Sequence, residues 1–247
     1  MEEKINYIIG MHPVMEAVKS GKKVEKVFFK SGLTGDLFVA LLNMLRERKI
    51  SFQFVPLQRL DKISKGSHQG VIAQISTIEY LPLEKVIETA LLKERAPLFV
   101  LLDGISDVRN LGAIARSAEC AMAEAIIVPS KGVAAITPDA VKASAGALMR
   151  INISRVQSLK EAIYYLKEAG VRIVAATEKC DTLLYDVDFR GATAIIMGSE
   201  GRGISPSVMA LADRKCKIPM SGKIGSLNVS VATSIILFEA VRQRSLF

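Results

Sequence analysis

The chain contains no tryptophan, and aromatic residues make up only 6% of it. Recognition of nucleic acid by a platform of stacked rings is therefore a poor expectation. Histidine is scarce, with only His12 and His68 present. The three cysteines, Cys120, Cys180 and Cys216, are scattered and form no CxxC pair. Neither a disulfide framework nor a zinc centre fits that inventory, so no metal is expected. No apolar run approaches the ~18–20 residues that span a bilayer, which argues against a membrane role. The opening Met1-Glu2-Glu3-Lys4 lacks the basic-then-apolar order of a secretory signal. A reducing cytoplasm is the expected location.

What is present is a substantial core and an excess of positive charge. The 247 residues are comfortable for two domains, and hydrophobic residues make up 50% of them. Lys and Arg number 33 against 25 Asp and Glu, a net charge of +8. That balance favours an acidic partner, of which nucleic acid is the commonest large one. The plain alternative is a soluble enzyme that happens to be basic.

Along the chain, strand-like and helix-like segments alternate. In the first part Tyr7–Ile9, Val24–Phe29, Phe52–Val55 and Val71–Ile75 read as strands. Pro13 to Gly21 and Asp36–Arg48 read as helices. Thr77 to Pro82 reads as a linker and Leu83–Lys93 as a short helix. This divides the chain into residues 1–77, a linking stretch 78–96, and a second domain 97–247. In that domain the expected strands are Leu98–Leu102, Ala125–Val128, Val171–Ala175, Ala192–Met197 and Lys215–Ile218. The expected helices are Arg109–Met122, Pro138–Ala143, Leu159–Ala169, Pro206–Leu211 and Leu227–Arg242, with Ser158 and Glu161 at capping-box spacing. Near-continuous Val/Ile/Leu strands between helices argue an α/β fold with a parallel sheet, whose ligands bind beyond the carboxyl ends of the strands.

Three of those strand ends carry unusual residues. The first loop, residues 103–118, leads into a helix with Arg109 and Asn110 at its start, where a cation opposes the helix dipole. Arg109 and Arg116 are seven residues apart and share a face, while Leu111, Ile114, Ala115 and Ala118 form the buried stripe. Two solvated arginines would be the plain reading. The second loop, residues 195–206, holds Gly198, Gly201 and Gly203 around Glu200. It is neither a P-loop nor G-x-G-x-x-G, and its carboxylate would repel a phosphate, so it suits hydroxyls, amines or positive charge. An ordinary turn before a helix capped by Ser205 and Pro206 is the alternative. The third, residues 218–233, has Ser226 as a candidate N-cap, with Asn228 and Ser230 in the first turn of an apolar helix.

Together the loops resemble the three motifs of the SpoU/TrmH family of RNA ribose methyltransferases. The resemblance rests on Asn110 with Arg116, on Gly198-Ser199-Glu200-Gly201, and on Ser226-Leu227-Asn228-Val229-Ser230, in the family's order, across residues 98–243. The front domain, with Gly10-Met11-His12-Pro13-Val14-Met15-Glu16-Ala17 and His68-Gln69-Gly70-Val71, resembles the extra domain of the subgroup that methylates a guanosine of 23S ribosomal RNA.

The resemblance implies a small, ribosomal-protein-like RNA-binding domain before a parallel-sheet domain threaded into a trefoil knot, acting as a homodimer. It implies S-adenosylmethionine as cofactor, touched by Gly198, Glu200, Gly201, Ile218, Met220, Ser226 and Leu227. It implies catalysis by Arg116 with Asn110, Glu200, Ser226 and Asn228. Arg109, Arg116, His12, Lys22 and Lys23 are the expected RNA contacts. An arginine almost never loses its proton, so Arg116 is expected to hold phosphate and ribose rather than serve as a free base. The competing expectations are the same chemistry on tRNA, a non-catalytic RNA-binding protein of the same fold, and an α/β enzyme acting on a small nucleotide or metabolite.

Overall fold

The computed structural model describes residues 7–76 and 78–245. The opening Met1–Lys4 segment, Thr77 at the start of the expected linker, and the last two residues of the expected second domain lie outside the described residues. The chain forms two compact units: one runs to Glu79 and takes in Ile136–Pro138, and the other comprises the rest from Tyr80 onward.

The front unit is built from β1 (Tyr7–Ile9), α1 (Met11–Lys19), β2 (Val24–Lys30), α2 (Asp36–Glu47), β3 (Ser51–Val55), α3 (Leu57–Ile63) and β4 (Val71–Ile75). Its sheet has the order β1-β4-β2-β3, antiparallel except for the β2–β3 pair. Strand alternation sends Val27 and Phe29 to one face, where Val14, Val18, Leu41 and Leu45 of α1 and α2 cover them. Phe28, Val55 and Ile72 point to the other, against Leu60 of α3. Helix α1 starts two residues before Pro13, which sits in the first turn where its missing N–H is not needed. The two front motifs meet: the Gly10 N–H donates to the Val71 carbonyl at 3.0 Å. Buried His68 braces the turn from below. Its Nδ1 accepts the Gly70 N–H at 3.0 Å, so Nε2 carries the proton it shares with Asp61 at 3.0 Å.

The second unit comprises α4 (Leu83–Leu91), β5 (Leu98–Asp103), α5 (Val108–Cys120), β6 (Ala125–Pro129), α6 (Pro138–Ala143, all but its first residue) and β7 (Asn152–Val156). It continues through α7 (Leu159–Glu168), β8 (Arg172–Ala176), β9 (Thr193–Gly198), α8 (Pro206–Met209), β10 (Arg214–Cys216) and α9 (Val229–Arg244). The six strands are all parallel, in the order β10-β8-β9-β5-β6-β7. Leu83, Val86, Ile87 and Ala90 of α4 join Ile163 and Leu166 of α7 over one face of the sheet. Helices α5 and α9 pack together, their contact pinned by a 2.7 Å hydrogen bond between the Ser117 and Ser234 hydroxyls. Strands β5 and β9 are central neighbours, and their register sets Asp103 beside Gly198. The first and second motif loops therefore leave the sheet side by side.

Several local expectations are corrected. Helix α9 starts at Val229, and its N-cap is Asn228 rather than Ser226, since the Asn228 side chain accepts the Ser230 amide. Ser226 stays in the exposed loop before it. Ser158 does precede α7, but its side chain makes no capping bond, so the Ser158–Glu161 box does not close. Strand β7 and helix α3 were not expected. β7 is an edge strand with polar residues interspersed, and α3 is a seven-residue helix with one fully buried anchor, Leu60. Neither is long enough for periodicity to declare itself.

Candidate active site

The first motif is held by a carboxylate that its sequence pattern did not advertise. Asp107 is the N-cap of α5, and its Oδ1 accepts the Arg109 and Asn110 amides at 2.8 and 2.9 Å. A negative charge at this helix start offsets the unfavourable placing of Arg109. On the buried side Gly112 lets α5 approach α6 closely: a Cβ there would lie 2.6 Å from that of Ala143 and 2.9 Å from the Ala140 carbonyl. Asn110 is thus fixed on the first turn of a firmly seated helix.

The second motif is a closed loop. Ser199 and Gly203 exchange backbone hydrogen bonds of 3.1 and 2.9 Å, and Gly201 and Gly203 take positive φ values of 83° and 70°. Gly198 has no room for any side chain, because a Cβ would fall 2.2 Å from the Gly203 carbonyl carbon and the Ile204 nitrogen. Asp103 at the end of β5 accepts the Ser205 N–H at 2.7 Å and ties the loop's far end to the neighbouring strand. The exposed tip of this loop carries Glu200.

The third motif supplies the joint. Asn228 Oδ1 accepts from the Ser230 N–H at 2.9 Å, and an amide nitrogen could not do so. Its Nδ2 is therefore the atom that faces Glu200 Oε1 at 2.8 Å and Asn110 Oδ1 at 3.0 Å. Asn110 Nδ2 completes the ring by donating to the same Glu200 oxygen at 3.0 Å. Three residues separated by up to 118 positions close one hydrogen-bonded cycle, whose carboxylate keeps its second oxygen for another donor.

Beside this cycle opens a cleft of about 620 Å³, lined by Gly198, Glu200, Gly201, Ser226, Leu227 and Asn228 among others. An adjoining compartment of about 120 Å³ shares Ser226 and Leu227 with it and adds Cys216, Ile218, Met220 and Ile236. Its apolar character is visible in Cys216, whose thiol is pushed up to about 12 by burial, with Cys180 adding to the effect. Met220 and Leu227 remain 41% and 36% exposed at its mouth. All seven expected cofactor contacts thus line one continuous hollow at the carboxyl end of the sheet. Sequence reasoning missed Thr177 and Glu178, which line both compartments from the end of β8. The strand-end rule that singled out the other loops applies equally to them.

Arg116 stands apart from the cycle. It is exposed on α5, roughly 120° around the helix from Asn110, with no hydrogen bond or ion pair among the described residues. Arg109 is likewise exposed, on the same side as Arg116. His12, Lys22 and Lys23 belong to the front unit, all exposed, with Lys23 paired to Glu79 at 3.1 Å. No cluster of three His, Cys, Asp or Glu that could hold a metal ion occurs among the described residues. Nor is any described helix long and apolar enough to cross a membrane.

Residues 97–238 match the SpoU rRNA Methylase family, and residues 7–81 match the RNA 2'-O ribose methyltransferase substrate binding domain. The chain belongs to the SpoU/TrmH family. YacO of Bacillus subtilis, assigned to the TrmH family of tRNA/rRNA methyltransferases, is 32% identical over 99% of this chain and 98% of its own. A TrmH family relative from Staphylococcus haemolyticus is 36% identical over 96% and 95%. Among solved structures, the SpoU methyltransferase AviRb from Streptomyces viridochromogenes, in complex with its cofactor AdoMet, superimposes with a TM-score of 0.63. It is 26% identical, with 98% of this chain and 91% of that one covered. This SpoU protein is accordingly an RNA methyltransferase with S-adenosylmethionine as methyl donor. The residues fit that donor: the apolar compartment suits a flat heterocycle, and Glu178 and Glu200 suit a cationic, hydroxyl-bearing remainder.

Proposed function

We propose that this SpoU protein methylates the 2′-hydroxyl of a ribose in structured RNA, that a guanosine of 23S ribosomal RNA is its target, and that it works as a cytoplasmic homodimer. The observation that carries the proposal is the Asn110–Glu200–Asn228 cycle, which joins the three motifs at the rim of the cofactor-sized cleft. The front match to a substrate-binding domain of 2'-O ribose methyltransferases supports the ribose, and the net charge of +8 supports an RNA partner. The division into residues 1–77 for substrate binding, 78–96 as connection and 97–247 for chemistry belongs to the same proposal.

The bound donor supplies a methyl on a sulfonium, a leaving group good enough that no metal is required. Gly198, Gly201, Ile218, Met220, Ser226 and Leu227 would hold it, with the Glu200 carboxylate supplying a negative charge to the same cleft. Asn110 and Asn228 fix the Glu200 carboxylate so that its free oxygen can orient the incoming ribose. Arg116 grips the adjoining phosphate and lowers the cost of charge developing on the 2′-oxygen, which takes the methyl as the sulfur–methyl bond breaks and gives up its proton to water.

The test is a map of 2′-O-methyl sites in ribosomal RNA and tRNA from cells with and without this protein. Loss of one 23S guanosine methylation is the expected result. Loss confined to tRNA would replace the substrate, and loss of a base methylation would overturn the ribose. Calorimetry should give the same S-adenosylmethionine affinity with and without a chelator; binding that vanishes on chelation would refute metal-free chemistry.

A further inference from the structure

Two cations of the front unit converge on one aromatic ring. Lys26 lies in β2 and Arg59 in α3, and both flank the ring of Phe28, Nζ at 5.6 Å and the guanidinium carbon at 6.0 Å from its centroid. Phe28 itself is 7% exposed and packed among Val55, Leu60 and Ile72, so it serves as an apolar wall rather than a stacking platform. Neither cation has a carboxylate or carbonyl partner among the described residues. Three other basic groups of the unit are engaged, Lys19 with Glu16 at 3.1 Å, Lys23 with Glu79 at 3.1 Å, and the Arg48 guanidinium with the Val18 and Lys19 carbonyls, and what sets Lys26 and Arg59 apart is the ring they share. Burial, and then the nearby Arg59, hold the Lys26 ammonium below its ordinary 10.5, with Glu25 only partly opposing them. Two like charges held against one buried ring raise the local positive potential, which favours an anion that reaches both.

We propose that Lys26 and Arg59 form a clamp for one backbone phosphate of the RNA substrate, with Phe28 as its floor. The guanidinium supplies a fork for two phosphate oxygens and the ammonium a point charge on a third. The inference rests on the proposed RNA substrate and adds where the front unit holds it.

The experiment measures binding of a transcribed 23S fragment and of bulk tRNA from low to high salt. It compares the full chain with Lys26→Gln, Arg59→Gln, the double variant, and Lys19→Gln, at a cation already paired with Glu16, as a control. Because the two cations share one phosphate, either single change should lower the salt slope by about 0.7–0.9, and the double change by no more. Lys19→Gln should leave the slope near wild type, and S-adenosylmethionine affinity and melting should stay unchanged throughout. Slopes that add in the double variant would overturn the clamp, since they mean two independent contacts. Unchanged slopes in both singles would overturn it too. Failure of the wild-type chain to bind either RNA would instead refute the proposed function.

Discussion

Replacing Asn228 separates two jobs that one side chain performs. Its Oδ1 caps α9 through the Ser230 amide at 2.9 Å, and its Nδ2 holds Glu200 at 2.8 Å and Asn110 at 3.0 Å. Asn228→Ala removes both. A lost N-cap costs about 1 kcal/mol. The exposed hydrogen bonds add about 0.5 kcal/mol, at the low end of what such bonds contribute. A chain of this size should melt about 2–4 °C lower for each kcal/mol. Asn228→Ser keeps a capping oxygen and should stay within about 0.5 kcal/mol of wild type, yet it lacks the reach and the second donor to hold Glu200. Asn228→Asp also keeps the cap but sets a second carboxylate beside Glu200. Two such groups resist joint ionisation, so one takes up a proton more readily. Single-turnover methylation should then fall in all three variants. In Asn228→Asp it should recover relative to wild type as pH drops from 8 toward 5, because a shared proton restores a donor between the two side chains. Melting curves and methyl-transfer rates measured together decide the matter. If Asn228→Asp methylates at the wild-type rate at pH 8, the amide–carboxylate contact plays no part in turnover and the reasoning fails.

Gly198→Ala should abolish cofactor binding in a chain that is also less stable, since its Cβ has backbone atoms 2.2 Å away and no flexible side chain to displace; calorimetry showing wild-type affinity would refute this. Arg116→Ala should melt within about 0.5 kcal/mol of wild type, as expected of an exposed position, and retain cofactor affinity. It should slow methylation by about 100-fold or more, with Arg116→Lys rescuing poorly; a near wild-type rate would remove Arg116 from the mechanism. Arg244 donates to the carbonyls of Phe189, Ala96 and Gly191 at 2.8–2.9 Å, clamping the end of α9 to the segments that precede β5 and β9. Arg244→Ala should cost about 2–4 kcal/mol, read as a lower urea midpoint at unchanged slope; a loss below about 0.5 kcal/mol would show that water replaces those bonds freely.

What the sequence disclosed and what it concealed follow from two different length scales. Strands such as Leu98–Asp103 and Ala125–Pro129 are continuous apolar runs, and a parallel sheet covered on both faces is the arrangement that buries them. The hollow was legible because glycines and polar residues interrupt those runs where strands end. Capping was less so. Ser226 and Asn228 are both good N-caps, and only the packed position of Val229, which is buried, decides that the helix begins after Asn228. Asp107 was hidden by the arginine beside it, although an acid two residues before a cation is the simplest way to make that cation tolerable at a helix start. The hydrogen-bonded cycle itself was beyond any local signal. Its contacts span 90 and 118 residues, and they exist because β9 inserts beside β5 while α9 returns to pack on α5.

That same topology bears on Arg116. Asn110 and Arg116 share one helix, yet the cycle draws in only Asn110, because roughly 120° of helical rotation separates the two. Among the described residues the Arg116 guanidinium pairs with no acid, and it lies outside the core stripe of Leu111, Ile114 and Ala118, so the fold itself draws little stability from it. Arg109, seven residues earlier, repeats the arrangement on the same side. Two arginines with no side-chain partner among the described residues, on one helix face whose N-terminal turn Asp107 already neutralises, form a positive surface that favours a counter-charge from outside. A nucleic-acid backbone supplies that charge at regular intervals. On the proposed mechanism the cycle is already formed within the folded chain, whereas the position of Arg116 relative to the ribose is set when substrate phosphate engages it. Cofactor affinity should therefore be indifferent to ionic strength, while the rate lost in Arg116→Ala should be accompanied by a salt slope for RNA binding lower by about 0.7–0.9.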